Sequence, residues 1–111
     1  MHQQIYDKLK AIARAGDITT YSDIAPLANL DMSKQEDQNR IAQILGEIST
    51  FEHQNGRPML SAAVIHKEDN IPGPGFFALA KELGIYNQKN DVLFFVNELK
   101  RVHDYWKHHQ N

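Results

Sequence analysis

The sequence predicts a mainly helical α+β domain, and three observations carry that expectation. Apolar residues recur every three or four positions in three long stretches, the spacing of one helix face. Two short segments, around Thr19 and Val64, are instead β-branched or continuously apolar, as strands are. With 111 residues the chain has the length of one ordinary domain and can bury a core without covalent staples.

The first helix is expected over about residues 3–15. Ile5, Leu9, Ile12 and Ala13 share a face, and Lys8, Lys10 and Arg14 are among the polar positions. Gly16 follows as its C-cap. Ile18-Thr19-Thr20-Tyr21 reads as a short strand. Ser22 is the expected N-cap of a brief helix to about Ala28, with Asp23 in its first turn; Pro26 keeps that helix short.

Ser33-Lys34-Gln35-Glu36 matches a capping box and opens a helix to about Gln54. Its inward face is expected to hold Ile41, Ile44, Leu45, Ile48 and Phe51. Its outward face would hold Asn39, Arg40, Gln43, Gly46, Glu47 and Thr50, and Asn55-Gly56 stops it. Met59 to Ile65 is nearly all apolar, as in a strand covered on both faces, and its expected partner is the Ile18–Tyr21 strand.

A stiff Pro/Gly loop, Ile71-Pro72-Gly73-Pro74-Gly75, leads into a short helix closed by Gly84. Asp91 is the expected cap of the last helix, to about His108, with Val92, Phe95, Val96, Leu99, Val102 and Trp106 as its apolar stripe. Lys100 and Asp104 are spaced for an i,i+4 ion pair. This element order is that of a winged helix-turn-helix: a core over about residues 3–84 with an added C-terminal helix over about 91–108. Residues 1–111 form a single domain in this reading.

Composition narrows the chemistry. The chain has no cysteine, which excludes disulfides, thiolate metal sites and cysteine nucleophiles. The formal net charge is −2, unlike the basic balance of most nucleic-acid modules, so DNA binding requires the cations to gather on one face. The polar start Met1-His2-Gln3-Gln4 does not read as a signal peptide, and no apolar run approaches the ~20 residues that span a bilayer. A cytoplasmic protein that does not enter membranes is expected, with no cofactor.

Five groups of residues invite a functional reading. The first is a recognition face on the long helix, where Lys34, Asn39, Arg40 and Gln43 offer side chains able to pair with base edges or phosphates. Asp37 and Glu47 on or near that surface would repel phosphate, and a solvated face is the plain alternative. The second is the loop, with Arg57 and Lys67 flanking the apolar strand as phosphate contacts; here the alternative is a rigid connection, and Glu68 and Asp69 weaken the phosphate reading.

The third group, His53, Ser61 and His66 with Glu52 or Glu68, has the residue types of a nucleophile, base and orienter. Ser61 lacks the Gly-x-Ser-x-Gly elbow, and a serine in an apolar strand is ordinarily a packed residue, so no catalytic residue is assigned. The fourth is His103, His108 and His109 beside Asp104; His103 and His108 are five apart rather than four, and no metal site is assigned. The fifth is the aromatic set Phe76, Phe77, Phe94, Phe95, Tyr105 and Trp106. One of each adjacent phenylalanine pair is expected toward an edge, sealing a helix junction or forming a partner surface.

Ile18-Thr19-Thr20-Tyr21-Ser22-Asp23-Ile24-Ala25 resembles the segment that opens the winged-helix domain of alkylguanine-DNA alkyltransferases and the related alkyltransferase-like proteins. The resemblance extends in element order from Ile18 to about Gly84. It implies a winged-helix fold, a DNA partner and Arg40 as the positional candidate for the arginine that props open the DNA stack. Leu60-Ser61-Ala62-Ala63 stands where that family carries its reactive Pro-Cys-His-Arg, so the acceptor thiolate and its histidine are missing. The last helix lies outside the resemblance.

The expectation is therefore a non-enzymatic module on double-stranded DNA. The alternative is a protein-interaction adaptor or homodimerisation module without nucleic-acid binding. A small enzyme built on Ser61 or His66 ranks third.

Overall fold

The computed structural model describes residues 1–109. Five α-helices occur among the described residues: α1 (Gln3–Arg14), α2 (Tyr21–Ile24), α3 (Gln35–Gln54), α4 (Pro74–Glu82) and α5 (Asp91–Lys107). Strand β1 (Thr19–Thr20) precedes α2 and β2 (Val64–Ile65) precedes α4, with 3₁₀ turns at Ala25–Ala28 and Leu60–Ala63. The two strands pair in parallel, Thr19 with Val64 and Thr20 with Ile65, as the distant β-rich segments predict.

The Leu60–Ala63 turn sits at the centre, packed by α1, α3 and α5. Met59 through Ile65 is buried throughout, so its apolar character is read correctly, but its backbone is not one long strand. Side chains replace the missing ladder: Glu98 accepts the Met59 N–H at 2.8 Å, and the Ser49 hydroxyl accepts the Ser61 N–H at 3.1 Å. Small residues at 61–63 let the chain tighten into a 3₁₀ turn that three helices can approach.

The helix ends hold both agreements and corrections. Gly16 and Gly84 adopt positive φ, and each is followed by a 3.0 Å bond from Asp17 N–H to Ile12 and from Ile85 N–H to Ala80, which closes the helix as expected. The cap of α2 is Thr20 rather than Ser22, since the Thr20 hydroxyl accepts from the Asp23 N–H. The Ser33–Glu36 capping box does not form. Asp31 accepts the Ser33 N–H, Asp37 accepts the Asp31 N–H, and Lys34 stands at the cap position without a side-chain bond. At α5 the cap is Asn90, whose side chain accepts from Leu93 N–H; Asp91 instead accepts from the Tyr86 hydroxyl.

Helix α5 also turns a different face inward. Phe94, Phe95, Glu98, Val102 and Trp106 are buried, whereas Val92 and Val96 are 54% and 52% exposed. Phe94 meets the rings of Phe76, Phe77 and Tyr86, which covers a second side of the helix. Consequently neither pair of adjacent phenylalanines sends a member to an edge: all four are buried. On α3, Phe51 is not inward but 39% exposed, edge-on to Tyr6 at 5.9 Å. Lys100 and Asp104 make no ion pair among the described residues; the short bond on this helix joins Arg101 to Glu98 at 2.6 Å.

Candidate nucleic-acid interface

The parallel strands determine what stands at the centre of the candidate site. Because Thr20 pairs with Ile65, the next residues, Tyr21 and His66, emerge side by side. Their rings lie 4.5 Å apart at 38°. The Tyr21 phenol accepts a 2.8 Å hydrogen bond from the Gly73 N–H, which draws the end of the loop onto this pair. A Cβ at position 73 would come 3.0 Å from His66 Nε2 and 3.5 Å from the Tyr21 hydroxyl, so any side chain there crowds the imidazole. Burial raises the Tyr21 phenol above its ordinary value, opposed by the Gly73 N–H and reinforced by the Asp69 carboxylate. The phenol therefore keeps its proton at neutral pH.

The loop between β2 and α4 is closed on itself. His66 N–H donates to Ile71 at 2.9 Å and Asn70 N–H to His66 at 2.8 Å, with Asn70 in the left-handed region at φ 61°. Lys67, Glu68 and Asp69 are exposed on this turn, and Pro72 is buried.

Beside the Tyr21–His66 pair runs an open groove of about 560 Å³ between α3 and α4. Ile41, Leu45, Phe76 and Leu79 supply apolar floor, and Gln38, Ala42, Gly46 and Thr50 follow one another along the α3 wall. A second hollow of about 350 Å³ shares Tyr21, Met32, Gln38 and His66 with it and is bounded by Ser33 on one side and Lys67 on the other. The start of α3 and the 66–73 loop thus face each other across one continuous depression.

Five of the six residues expected at nucleic acid are exposed here. Lys34 caps α3, Asn39, Arg40 and Gln43 lie on its first half, and Lys67 is on the loop. Two bonds order the helix strip: Gln35 donates to Asn39 and Arg40 to Gln43, each at 3.0 Å. The remaining donors of Arg40 and Gln43 face solvent. Glu36, Glu47, Glu68 and Asp69 are exposed on the same elements.

Arg57, the sixth, is engaged elsewhere. Its side chain is 13% exposed and grips the fully buried Glu52 carboxylate, Nε to Oε2 at 2.7 Å and a second nitrogen to Oε1 at 3.1 Å. Tyr6 donates to the same Oε1 at 2.5 Å. Burial and the Glu52 carboxylate push the Tyr6 phenol up to about 12. This cluster joins α1 to α3 and lines neither hollow.

The other sequence candidates also take structural partners. Ser61 is buried with its hydroxyl 2.6 Å from that of Ser49. His103, His108 and His109 donate to three separate carbonyls, those of Asp17, Asp104 and Tyr105. No group of three His, Asp or Glu positioned to hold a metal ion occurs among the described residues. Nor is any described helix long and apolar enough to cross a membrane.

No family model matches the chain, and neither any curated protein nor any solved structure does. Function therefore rests on the site itself. Its central residues, Tyr21, His66 and Gly73, were not among the expected contacts. The available signal was positional: each ring directly follows one of two strands expected to pair.

Proposed function

We propose that this chain is a non-enzymatic DNA-associated module of winged-helix type. In this reading the first half of α3 lies against the major groove and the 66–73 loop serves as a compact wing. The observation that carries it is that Asn39, Arg40 and Gln43 are exposed together on the first half of α3, with exposed Lys34 at its cap, while exposed Lys67 stands across a hollow from Ser33 and Gln38 at the same helix start. Arg and Gln match guanine and adenine edges, while the lysines suit phosphates. The likeness of Ile18–Ala25 to the alkyltransferase-like segment supports the same partner, with Arg40 nearest the duplex. Arg57 has no part in the contact, because its guanidinium is committed to Glu52. A cytoplasmic location fits this reading.

The test is a salt titration of duplex DNA binding. Affinity falling steeply with salt, and weakened by Arg40→Ala and Gln43→Ala in the folded protein, supports the reading. No affinity at low salt, or affinity indifferent to salt, removes it.

A second reading, a protein-interaction adaptor without nucleic-acid binding, is favoured by the carboxylates of Glu36, Glu47, Glu68 and Asp69 among those cations. They repel phosphate and suit a basic partner. The same titration separates the two.

A further inference from the structure

We propose that two copies of this chain associate reciprocally, the outer face of α5 from each seating in the α3–α4 groove of the other. This inference is independent of nucleic-acid binding. Val92, Leu93 and Val96 are 54%, 46% and 52% exposed, and their i, i+1, i+4 spacing puts them on one side of α5 as a single convex ridge. Three adjacent, half-exposed branched residues on one helix form one contiguous apolar patch rather than scattered exposure.

The groove has the complementary shape. Ala42, Gly46 and Thr50 form a low wall on α3, and the Cβ direction of Gly46 meets nothing within 4 Å, so a second helix can approach closely there. The floor is apolar, and Glu47 is the one acidic side chain on its lining. One turn beyond Val96, α5 carries exposed Lys100, which makes no ion pair of its own among the described residues. A ridge seated with Val92 and Val96 on the floor brings Lys100 toward Glu47. The apolar anchors and the charge therefore agree on one occupant.

Position explains why the contact is reciprocal. Phe76 lines the groove and meets Phe94, the residue between Leu93 and Phe95, at 5.7 Å. Groove and ridge thus border the same α4–α5 junction. A two-fold axis beside that junction lets each copy give its ridge and receive the other's, a closed arrangement rather than an open chain. Two such contacts are needed, because one three-residue ridge falls well short of the ~1,200 Å² that a stable interface buries. Arg40 and Gln43 line neither hollow and stay open, Gln43 pointing about 100° around α3 from Ala42, whereas Asn39 lines the groove and is covered in the dimer.

Sedimentation velocity over a micromolar concentration series tests the proposal with three proteins: the unaltered chain, Val96→Asp and Gly46→Leu. Both positions are outside the core, and circular dichroism melts confirm folding of each variant. The unaltered chain is expected to dimerise reversibly, and either substitution to weaken association by at least about tenfold. Lys100→Glu is expected to weaken association, and Glu47→Lys in the partner to restore it. A monomer at every concentration overturns the proposal. So does a dimer indifferent to both substitutions.

Discussion

Tyr21 and Gly73, fifty-two positions apart in sequence, are joined by a 2.8 Å hydrogen bond from the glycine N–H to the phenol oxygen. That bond anchors the loop end against the start of α2, directly after β1. Tyr21→Phe removes the acceptor and leaves the ring in place. The half-buried N–H then lacks its partner, a loss of about 1–2 kcal/mol. Urea unfolding should report that loss, and the Gly73 amide should exchange faster with solvent. Unchanged protection of that amide would show that the phenol is not what holds the loop.

Gly73→Ala probes the same corner from the other side. The new methyl would meet His66 Nε2 at 3.0 Å, so the imidazole must turn away from Tyr21. A destabilisation of about 1–2 kcal/mol is expected. Adding His66→Ala should return much of it, because the clashing ring is gone. A double-mutant cycle measures the coupling, and strictly additive losses would rule out the contact as their source.

The buried Glu52 cluster predicts an alkaline limit to stability. The Tyr6 phenol is raised to about 12 by burial and by the Glu52 carboxylate, against about 10 when unfolded. The folded state thus holds the proton more tightly. Its contribution is complete below about pH 10 and is lost as pH rises toward about 12. A decline on the order of 2 kcal/mol across that window is expected in denaturant melts. Tyr6→Phe should flatten the decline while lowering stability at neutral pH, because Glu52 then keeps Arg57 alone. An equally steep decline in the variant would assign it to another group.

The parts of this fold that were legible in the sequence are those in which apolar spacing alone decides the outcome. Ile5, Leu9 and Ala13 on α1 and Ile41, Ile44, Leu45 and Ile48 on α3 point inward as their period requires. The Thr19–Val64 pairing was legible because two lone strands leave backbone groups that must find each other. Glu52 and Glu98 were not, since periodicity assigns a carboxylate to water. Each is instead buried as an acceptor for a specific partner, Arg57 in one case and the Met59 N–H in the other. The buried face of α5 was misread for a related reason: Phe94 gains the Phe76 and Tyr86 rings, which only tertiary packing supplies. On the surface, residue chemistry placed Arg40, Gln43 and Arg57 in one class and could not foresee that Arg57 is held by a buried glutamate five residues earlier.

Glu98 yields a prediction about the central turn. Its carboxylate, 2% exposed, accepts both the Met59 N–H at 2.8 Å and Arg101 at 2.6 Å. Glu98→Ala leaves a buried N–H unpaired and opens a void, a cost of about 2–4 kcal/mol. Glu98→Gln keeps an acceptor for Met59 and gives up the ion pair with the exposed arginine, so it should cost clearly less, about 1 kcal/mol. Thermal melts order the three proteins. If the glutamine variant is as damaged as the alanine variant, the ion pair rather than the backbone bond dominates.

Arg57 and Lys67, both expected at phosphates, should separate cleanly. Lys67 is exposed and bounds the hollow that faces the start of α3. Replacing it with alanine should reduce the salt dependence of DNA binding by about one unit of slope, with stability nearly unchanged. Lys34→Ala should do the same. Arg57→Ala should act in the opposite sense: it leaves the buried Glu52 carboxylate with Tyr6 alone, costs about 3–5 kcal/mol of stability, and leaves the salt slope of the surviving folded protein unchanged. Measuring binding isotherms and urea melts on the same samples distinguishes a charge that touches phosphate from one that holds the fold. A salt slope that fell with Arg57→Ala would mean the guanidinium leaves Glu52 to reach the ligand, and the site would then extend across the α1 side of α3.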